Sequence, residues 1–268
     1  MTLHSAPYFD LDTAPMAVDQ VTLTVRDLDR VASFYVKYLG LKVHAQTATR
    51  VELGADVPFL VLLGDPEAAK ADPSAPGLFH VAYLLPSRTD LSSWLAHMSR
   101  AQMPPWGASD HNVSEAIYLN DPEGNGIEVY VDRPVSGWHR PNGDLNMPSY
   151  HLDFSDLPKP GAWDGAPGKT RVGHVHLQTP DIAEAEAFWT GLGMEVTARY
   201  PGGSFFGSGG YHHNIAANVW NSRGRAVQSG PKTGLTSVAF CADSSLAAHF
   251  GTHTAPSGVD IILNPKGH

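Results

Sequence analysis

The chain has 268 residues, with 18 Lys and Arg against 27 Asp and Glu, so its formal charge is −9. Apolar residues make up 42% and charged residues 17%, a globular composition that argues against a disordered chain. The acidic balance without a run of Lys or Arg argues against nucleic acid as a partner, and no apolar run reaches the roughly 20 residues that would indicate a membrane span.

The cysteine and histidine counts point to the kind of site to look for. A single cysteine, Cys241, excludes an internal disulfide framework. Because the first residues lack a basic segment followed by an apolar one, we expect no signal peptide and a cytoplasmic protein. The 14 histidines favour a metal site built from histidine and carboxylate rather than cysteine.

The first predicted elements form a strand, a helix and three more strands. Residues 20–25 alternate and are β-branched, which predicts a strand. Asp27 is the expected N-cap of an amphipathic helix that ends at Gly40. Three strand-like segments follow at Lys42–His44, Arg50–Leu53 and Phe59–Leu63.

This βαβββ unit is repeated along the chain. Residues 20–43 match residues 174–196, with Asp27 aligned to Asp181 at an offset of 154. Two weaker copies give four modules in all. Their first strands begin at Gln20, His80, His174 and Ser237.

The modules divide the chain into three parts. Residues 1–135 hold the first two modules, residues 136–169 form a Pro- and Gly-rich linker, and residues 170–268 hold the third module and an incomplete fourth. Because the chain ends soon after VDIILN, we expect the fourth module to lack its last two strands. The open sheet edge that this would leave predicts a homodimer contact or a covering arm.

The repeated pattern and three motifs resemble one family. DPEGNGIEVY within residues 107–134, together with VGHVHLQTPD and GSGGYHHNIAANVW, resembles the vicinal oxygen chelate superfamily, and in particular its bacterial catechol 2,3-dioxygenase-like members. That superfamily also includes glyoxalase I and bleomycin-resistance proteins. The resemblance implies an α+β fold of paired half-open barrels, with metal ligands projecting inward from first and last strands.

Two ligands are expected from the second module. Alternation along its last strand puts Glu128 and Tyr130 on the face opposite Ile127 and Val129. A carboxylate facing a barrel interior is costly unless it is paired or binds a metal. In the superfamily that this sequence resembles, the position of Glu128 is the usual carboxylate ligand. His80 opens the first strand of the same module.

The third ligand depends on which modules pair. Sequential pairing offers Gln20, which some glyoxalase I members would use, whereas crossed pairing of the second and third modules offers His174. A barrel of the third and fourth modules would have Ser237 and no carboxylate strand. We therefore predict a metal held by His80, Glu128 and His174, with Gln20 as the alternative to His174. Two histidines and a carboxylate are typical of Fe(II), with Mn(II), Zn(II) or Ni(II) as alternatives.

Proton transfer has several candidates. Alternation predicts that His212 and His213 point to opposite faces, so that only one faces the barrel interior. His111 lies in a loop that the resemblance makes a pocket wall, and Tyr130 or Tyr211 is a candidate auxiliary donor. His176 shares a face with His174 and is expected to line the pocket rather than bind metal.

These residues favour an extradiol ring-cleaving dioxygenase that acts on a catechol or a related small phenolic compound with O₂. The alternatives are a glyoxalase-like metal-dependent isomerase or lyase, and a non-catalytic protein that sequesters a small molecule such as an antibiotic. Gln20 as a ligand favours the isomerase, and His174 favours the dioxygenase. The aromatic residues expected either in the pocket or in the core are Trp94, Trp106, Trp138, Phe205 and Phe206.

Overall fold

The computed structural model describes residues 7–103 and 107–267, so Trp106 lies outside the described residues. The first module is β1 (Met16–Val25), α1 (Leu28–Phe34), β2 (Lys42–Gln46), β3 (Arg50–Gly54) and β4 (Pro58–Gly64). As predicted, the Asp27 side chain caps α1 by accepting a hydrogen bond from the Arg30 amide. A π-helical turn extends α1 to Leu39, and Gly40 ends it with a φ of 72°.

The second module has the same order of elements. It comprises β5 (Gly77–Leu84), α2 (Arg88–Arg100), β6 (Gly107–Asp110), β7 (Ser114–Asn120) and β8 (Gly126–Asp132). The predicted linker follows and contains a short strand, β9 (Tyr150–His151), which pairs with β6. The linker is thus an integral part of a sheet as well as a connection.

The third module is complete, whereas the fourth is short. The third comprises β10 (Arg171–Gln178), α3 (Ile182–Gly191), β11 (Glu195–Tyr200), β12 (Gly203–Gly207) and β13 (Ile215–Asn218). The fourth comprises β14 (Gly234–Ala242), a 3₁₀ helix (Ser244–His249), β15 (Gly251–Thr254) and β16 (Asp260–Pro265).

The modules pair in the crossed order. The seven-stranded sheet runs β15-β16-β14-β1-β4-β3-β2, and the nine-stranded sheet runs β11-β12-β13-β10-β5-β8-β7-β6-β9. First strands pair antiparallel at the centre of each sheet, β1 with β14 and β5 with β10. The first module therefore shares a half-open barrel with the fourth, and the second shares one with the third.

The expectation that the fourth module lacks its last two strands was wrong. β16 lies parallel to β14, as β4 lies parallel to β1, so β16 is the last strand of the module. Within the described residues the missing piece is a counterpart of β2. A short 3₁₀ helix replaces the α-helix, which leaves enough chain for two strands. On the fourth module's side this sheet ends at β15, and the predicted homodimer contact there stays a prediction.

The hydrophobic core is continuous across both sheets and the three α-helices. Trp94 of α2, Trp189 of α3 and Phe240 of β14 are fully buried members of it. The Trp94 indole N–H also donates to the Tyr38 carbonyl at 2.8 Å, which joins α2 to the first module. No helix in the described ranges combines the length and apolarity that crossing a bilayer requires.

Candidate metal centre

Three side chains meet at the centre of the nine-stranded sheet. His80 on β5, Glu128 on β8 and His174 on β10 come from three neighbouring strands. Each offers a ligand atom within 4.8 Å of the other two. Nε2 of His80 lies 3.0 Å from Oε2 of Glu128, and Nε2 of His174 lies 3.5 Å from the same oxygen. The residues predicted as ligands are thus brought together.

The alternative ligand Gln20 lies elsewhere. It is on β1 in the seven-stranded sheet, opposite Ala239 of β14. In its module the register position of Glu128 belongs to Val61, which pairs with Thr22 as Glu128 pairs with Ala82. The alternative prediction, that the first and second modules pair, was therefore wrong, because their first strands lie in different sheets.

The same half-barrel has a fourth equivalent position, and its side chain offers no atom that could bind a metal. His176 of β10 pairs with Ala216 of β13, which puts Ala216 at the register position that Glu128 holds in β8. Ala216 is fully buried. The protein therefore presents two imidazoles and one carboxylate, with a methyl group where a second carboxylate would stand.

Burial sets the charges of these groups. His80 is 7% exposed, Glu128 3% and His174 2%. Burial acts to raise the pKa of Glu128, but the neighbouring imidazoles outweigh it and hold that pKa well below its ordinary value. Burial lowers the pKa of His174 to about 4, against the opposing effect of Glu128. At neutral pH the site is an anionic carboxylate beside a neutral His174 imidazole, which is the protonation state that binds a divalent cation.

Two buried nitrogen atoms at the site have no hydrogen-bond partner among residues 7–103 and 107–267. They are Nε2 of His80 and Nδ1 of His174. Nε2 of His80 is close to the Glu128 carboxylate, yet the two atoms are not aligned for a hydrogen bond. Buried polar atoms in proteins are nearly always satisfied, so an unpaired nitrogen beside a carboxylate fits a bound cation. The donor set and the unpaired Nε2 atom of His80 both fit a metal.

A cavity of about 280 Å³ opens beside the three ligands. Aromatic side chains form much of its wall, and among them Phe79 packs edge-on against Trp220 with ring centroids 5.5 Å apart. Its aromatic, aliphatic and thioether lining residues are Phe79, Val113, Tyr118, Met147, Tyr200, Phe205 and Trp220. Of the aromatic residues singled out in the sequence, Phe205 lines the cavity, Trp94 and Phe206 lie in the core, and Trp138 packs against Tyr211.

His213 faces this cavity, and His212 lies behind it. His213 lines the cavity, and its ring centroid is 4.0 Å from that of His174. Nε2 of His212 is instead 2.8 Å from Oδ1 of Asp132, and His212 is not among the cavity-lining residues. Strand alternation does not govern these two side chains, because both residues precede β13, which begins at Ile215. The Nδ1 atoms of the two rings are only 2.7 Å apart. Burial lowers the pKa of His213 well below its ordinary value.

His111 lies in the opposite wall with Tyr118. Its Nδ1–H donates to the Pro148 carbonyl at 2.7 Å, which comes from the linker. With the ring proton on Nδ1, Nε2 accepts from the Tyr118 hydroxyl at 2.8 Å. Burial raises the pKa of the Tyr118 phenol well above its ordinary value, so Tyr118 stays a proton donor. The linker residues Met147 and Ser149 also line the cavity, so this segment closes one side of the site.

Tyr130 supports the site from behind. It is fully buried, and its ring centroid lies 4.9 Å from that of His174. It does not line the cavity, and its hydroxyl is hydrogen-bonded to the Tyr211 hydroxyl at 2.8 Å. A Cβ atom added to Gly173 would fall 1.8 Å from the Tyr130 hydroxyl, so only glycine fits before His174.

His176 is held by one side-chain amide. Asn218 accepts from the Trp220 amide through Oδ1, so its Nδ2 donates to Nε2 of His176 at 2.9 Å. That nitrogen is therefore already occupied, and His176 lines the cavity as predicted rather than joining the ligands.

Sequence reasoning missed Tyr118, Asp132 and Asn218. A signal existed for Asp132, since alternation from Glu128 through Tyr130 puts residue 132 on the same face. No such signal existed for Tyr118, because its place beside Glu128 depends on the register between β7 and β8.

A family profile and a bacterial protein both match most of this chain. The family profile described as the Glyoxalase/Bleomycin resistance protein/Dioxygenase superfamily matches residues 17–129 and 171–259. The catechol-2,3-dioxygenase of Bacillus subtilis (strain 168) is 39% identical over 223 residues, which cover 80% of this chain and 78% of that protein.

Solved structures show the same fold. A protein of Bacillus subtilis subsp. subtilis str. 168 aligns over 95% of this chain and 87% of its own, with a TM-score of 0.64 and 15% identity. A glyoxalase I variant from Zea mays aligns over 95% of this chain and 94% of its own, with a TM-score of 0.56 and 14% identity. At these identities the likeness concerns the architecture alone.

Proposed function

The chain belongs to the Glyoxalase/Bleomycin resistance protein/Dioxygenase superfamily, and we propose that it is an extradiol ring-cleaving dioxygenase that opens a catechol or a related small phenolic ring with O₂. The observation that carries this proposal is the convergence of His80, Glu128 and His174 beside an aromatic-lined cavity. The relative from Bacillus subtilis, which is named a catechol-2,3-dioxygenase, supports the same reaction class.

We propose Fe(II) as the metal. Two imidazoles and one carboxylate are the donor set that leaves sites open on non-haem iron. Ala216 supports this choice, because it adds no fourth protein ligand. When bound, Fe(II) supplies the redox and Lewis-acid chemistry that ring cleavage with O₂ requires.

The protein side chains supply binding and proton transfer. The aromatic wall formed by Phe79, Phe205 and Trp220 suits a flat phenolic ring, and 280 Å³ suits a small one. His213 faces the ligands and is the proposed base for a catechol hydroxyl proton. His111 and Tyr118 form a hydrogen-bonded pair on the other wall and are the proposed donors during later steps.

Ring cleavage by the iron-loaded protein tests the proposal. The protein is loaded with Fe(II) without air, titrated with catechol and then exposed to O₂. We expect a yellow ring-opened product and consumption of one O₂ per catechol. Glu128→Gln is the matched control, because it keeps the shape of the side chain and removes its charge.

Two results would contradict the proposal. A protein that binds no metal under these conditions would exclude both the dioxygenase and the isomerase. A protein that binds Fe(II) and catechol but leaves the ring intact across a set of substituted catechols would favour sequestration over catalysis.

A further inference from the structure

We infer that Asp132, acting through His212, fixes the tautomer of His213 and keeps its Nε2 atom free as the proton acceptor at the cavity. This inference rests on the proposed function, since it concerns how the proposed base is prepared. Asp132 and His212 are assigned as positioning residues, because neither lines the cavity.

The three side chains form one buried chain of hydrogen bonds. Oδ1 of Asp132 is 2.8 Å from Nε2 of His212, and Nδ1 of His212 is 2.7 Å from Nδ1 of His213. Asp132 is 3% exposed, His212 0% and His213 7%. Each contact is therefore shielded from competing water.

The positions of the protons follow from these contacts. A carboxylate only accepts hydrogen bonds, so the His212 Nε2–H donates to Asp132. With its proton on Nε2, His212 presents a lone pair at Nδ1, so the short contact between the two Nδ1 atoms places a proton on Nδ1 of His213. Because a neutral imidazole carries one ring proton, Nε2 of His213 is left with a lone pair.

A second set of hydrogen bonds also ends on the Asp132 carboxylate. The Tyr211 hydroxyl donates to the same Oδ1 at 3.2 Å, and the Tyr130 hydroxyl then donates to Tyr211. Two chains of donors thus end on one carboxylate. Among the described residues no Lys or Arg forms an ion pair with Asp132.

The proton step balances within this arrangement. The substrate O–H bond breaks, an N–H bond forms at Nε2 of His213, and the substrate becomes a phenolate. His213 then carries two ring protons and one positive charge, which the negative Asp132 stabilises through His212. No covalent bond of His212 or Asp132 changes in this step, and the substrate proton stays on Nε2 of His213.

Replacing Asp132 by Asn tests the inference through two readouts. The amide can donate as well as accept, so we expect His213 to become a mixture of both tautomers in a long-range ¹H–¹⁵N spectrum of zinc-loaded protein labelled at histidine. We expect kcat for the iron-loaded protein to fall about 100-fold, the usual share of a well-placed base. KM and metal affinity should stay within about twofold.

Two further variants separate positioning from general damage. His212→Phe keeps an aromatic ring but removes the acceptor for Nδ1 of His213, so it should reproduce both effects even if Asp132→Asn does not fold. Tyr211→Phe removes the other hydrogen bond to Asp132 and should leave His213 in the wild-type tautomer.

The outcomes distinguish this inference from the proposed function. If the wild-type protein cleaves no catechol, the proposed function fails, and the tautomer spectra still decide the inference. A wild-type His213 protonated at Nε2 overturns the inference, as does an Asp132→Asn protein with the wild-type tautomer and turnover. Loss of metal from Asp132→Asn also counts against it, because Asp132 would then act on the ligands.

Discussion

The two half-barrels are built from the same module, yet only one of them carries ionisable side chains at its centre. In the nine-stranded sheet the equivalent positions hold His80, His174, Glu128 and Ala216, and in the seven-stranded sheet they hold Gln20, Ser237, Val61 and Ile262. The backbone register is the same in both. The fold therefore offers the same set of positions twice, and the residue types at those positions decide which copy can bind a metal.

The difference also concerns the cost of folding. Burying Glu128 removes a charge from water, which costs free energy unless a partner or a cation is present. Val61 and Ile262 carry no such cost and contribute apolar burial instead. We therefore expect the stability of the nine-stranded half to depend on proton binding and on the proposed metal.

The largest expected effect comes from removing Glu128, the one carboxylate of the proposed ligand set. Glu128→Ala should weaken Fe(II) binding by at least about 100-fold, because two neutral imidazoles remain. Metal content and chelator competition measure this. Val61→Ala at the same register position in the other half should leave metal content unchanged, and loss of metal from that variant would contradict the comparison.

Removing His174 should have the next largest effect. His174→Ala leaves one imidazole and one carboxylate, so we expect metal affinity to fall by about 10- to 100-fold. Gln20→Ala and Ser237→Ala change the first strands of the other half and should leave the affinity within about twofold. If Gln20→Ala removed the metal while His174→Ala did not, the assigned ligand set would be wrong.

Acid should destabilise the apoprotein through its nine-stranded half. The folded protein lowers the pKa of His174 to about 4, whereas an unfolded chain keeps the ordinary value of about 6.5. Between these pH values the unfolded chain binds the proton and the folded one does not, so stability falls as the pH falls. The slope from His174 alone is at most about 1.4 kcal/mol per pH unit.

Urea unfolding of the apoprotein at pH 7 and pH 5.5 measures this slope. His176 and His213, whose pKa values burial also lowers, act in the same direction. His213→Gln should therefore flatten the slope. Equal stability at the two pH values would contradict the prediction.

A small packing change should separate the two halves as well. Gly173→Ala brings a methyl group against the Tyr130 hydroxyl and should cost about 1–3 kcal/mol of unfolding free energy. Asp19→Ala at the same place in β1 changes an exposed residue and should cost less than about 0.5 kcal/mol. Adding Tyr130→Phe to Gly173→Ala should recover part of the loss, and denaturant unfolding measures all three.

Much of the fold could be predicted because its signals are local. The Asp27 cap, the glycine after the first helix and the strand alternation each depend on a few adjacent residues. The fourth module was predicted less well, since a six-residue 3₁₀ helix has no clear sequence signature and it shifted the count of remaining strands.

The sequence alone predicted only part of the candidate ligand set. Alternation and the repeat put Glu128 and His80 on two strands of one module, and the family resemblance marked them as ligands. The choice between His174 and Gln20 needed the order of strands in the sheets, a long-range property that no local pattern encodes.

The sequence by itself determined that four related modules exist, that Glu128 faces inward and that histidines open two of the first strands. Only the tertiary structure decided that the second and third modules share a sheet, that His213 rather than His212 faces the cavity, and that Asp132 ends the chain behind it. The physical reason is that alternation fixes which face a side chain takes within one strand. Which strands become neighbours is decided by the burial of apolar surface across the whole molecule.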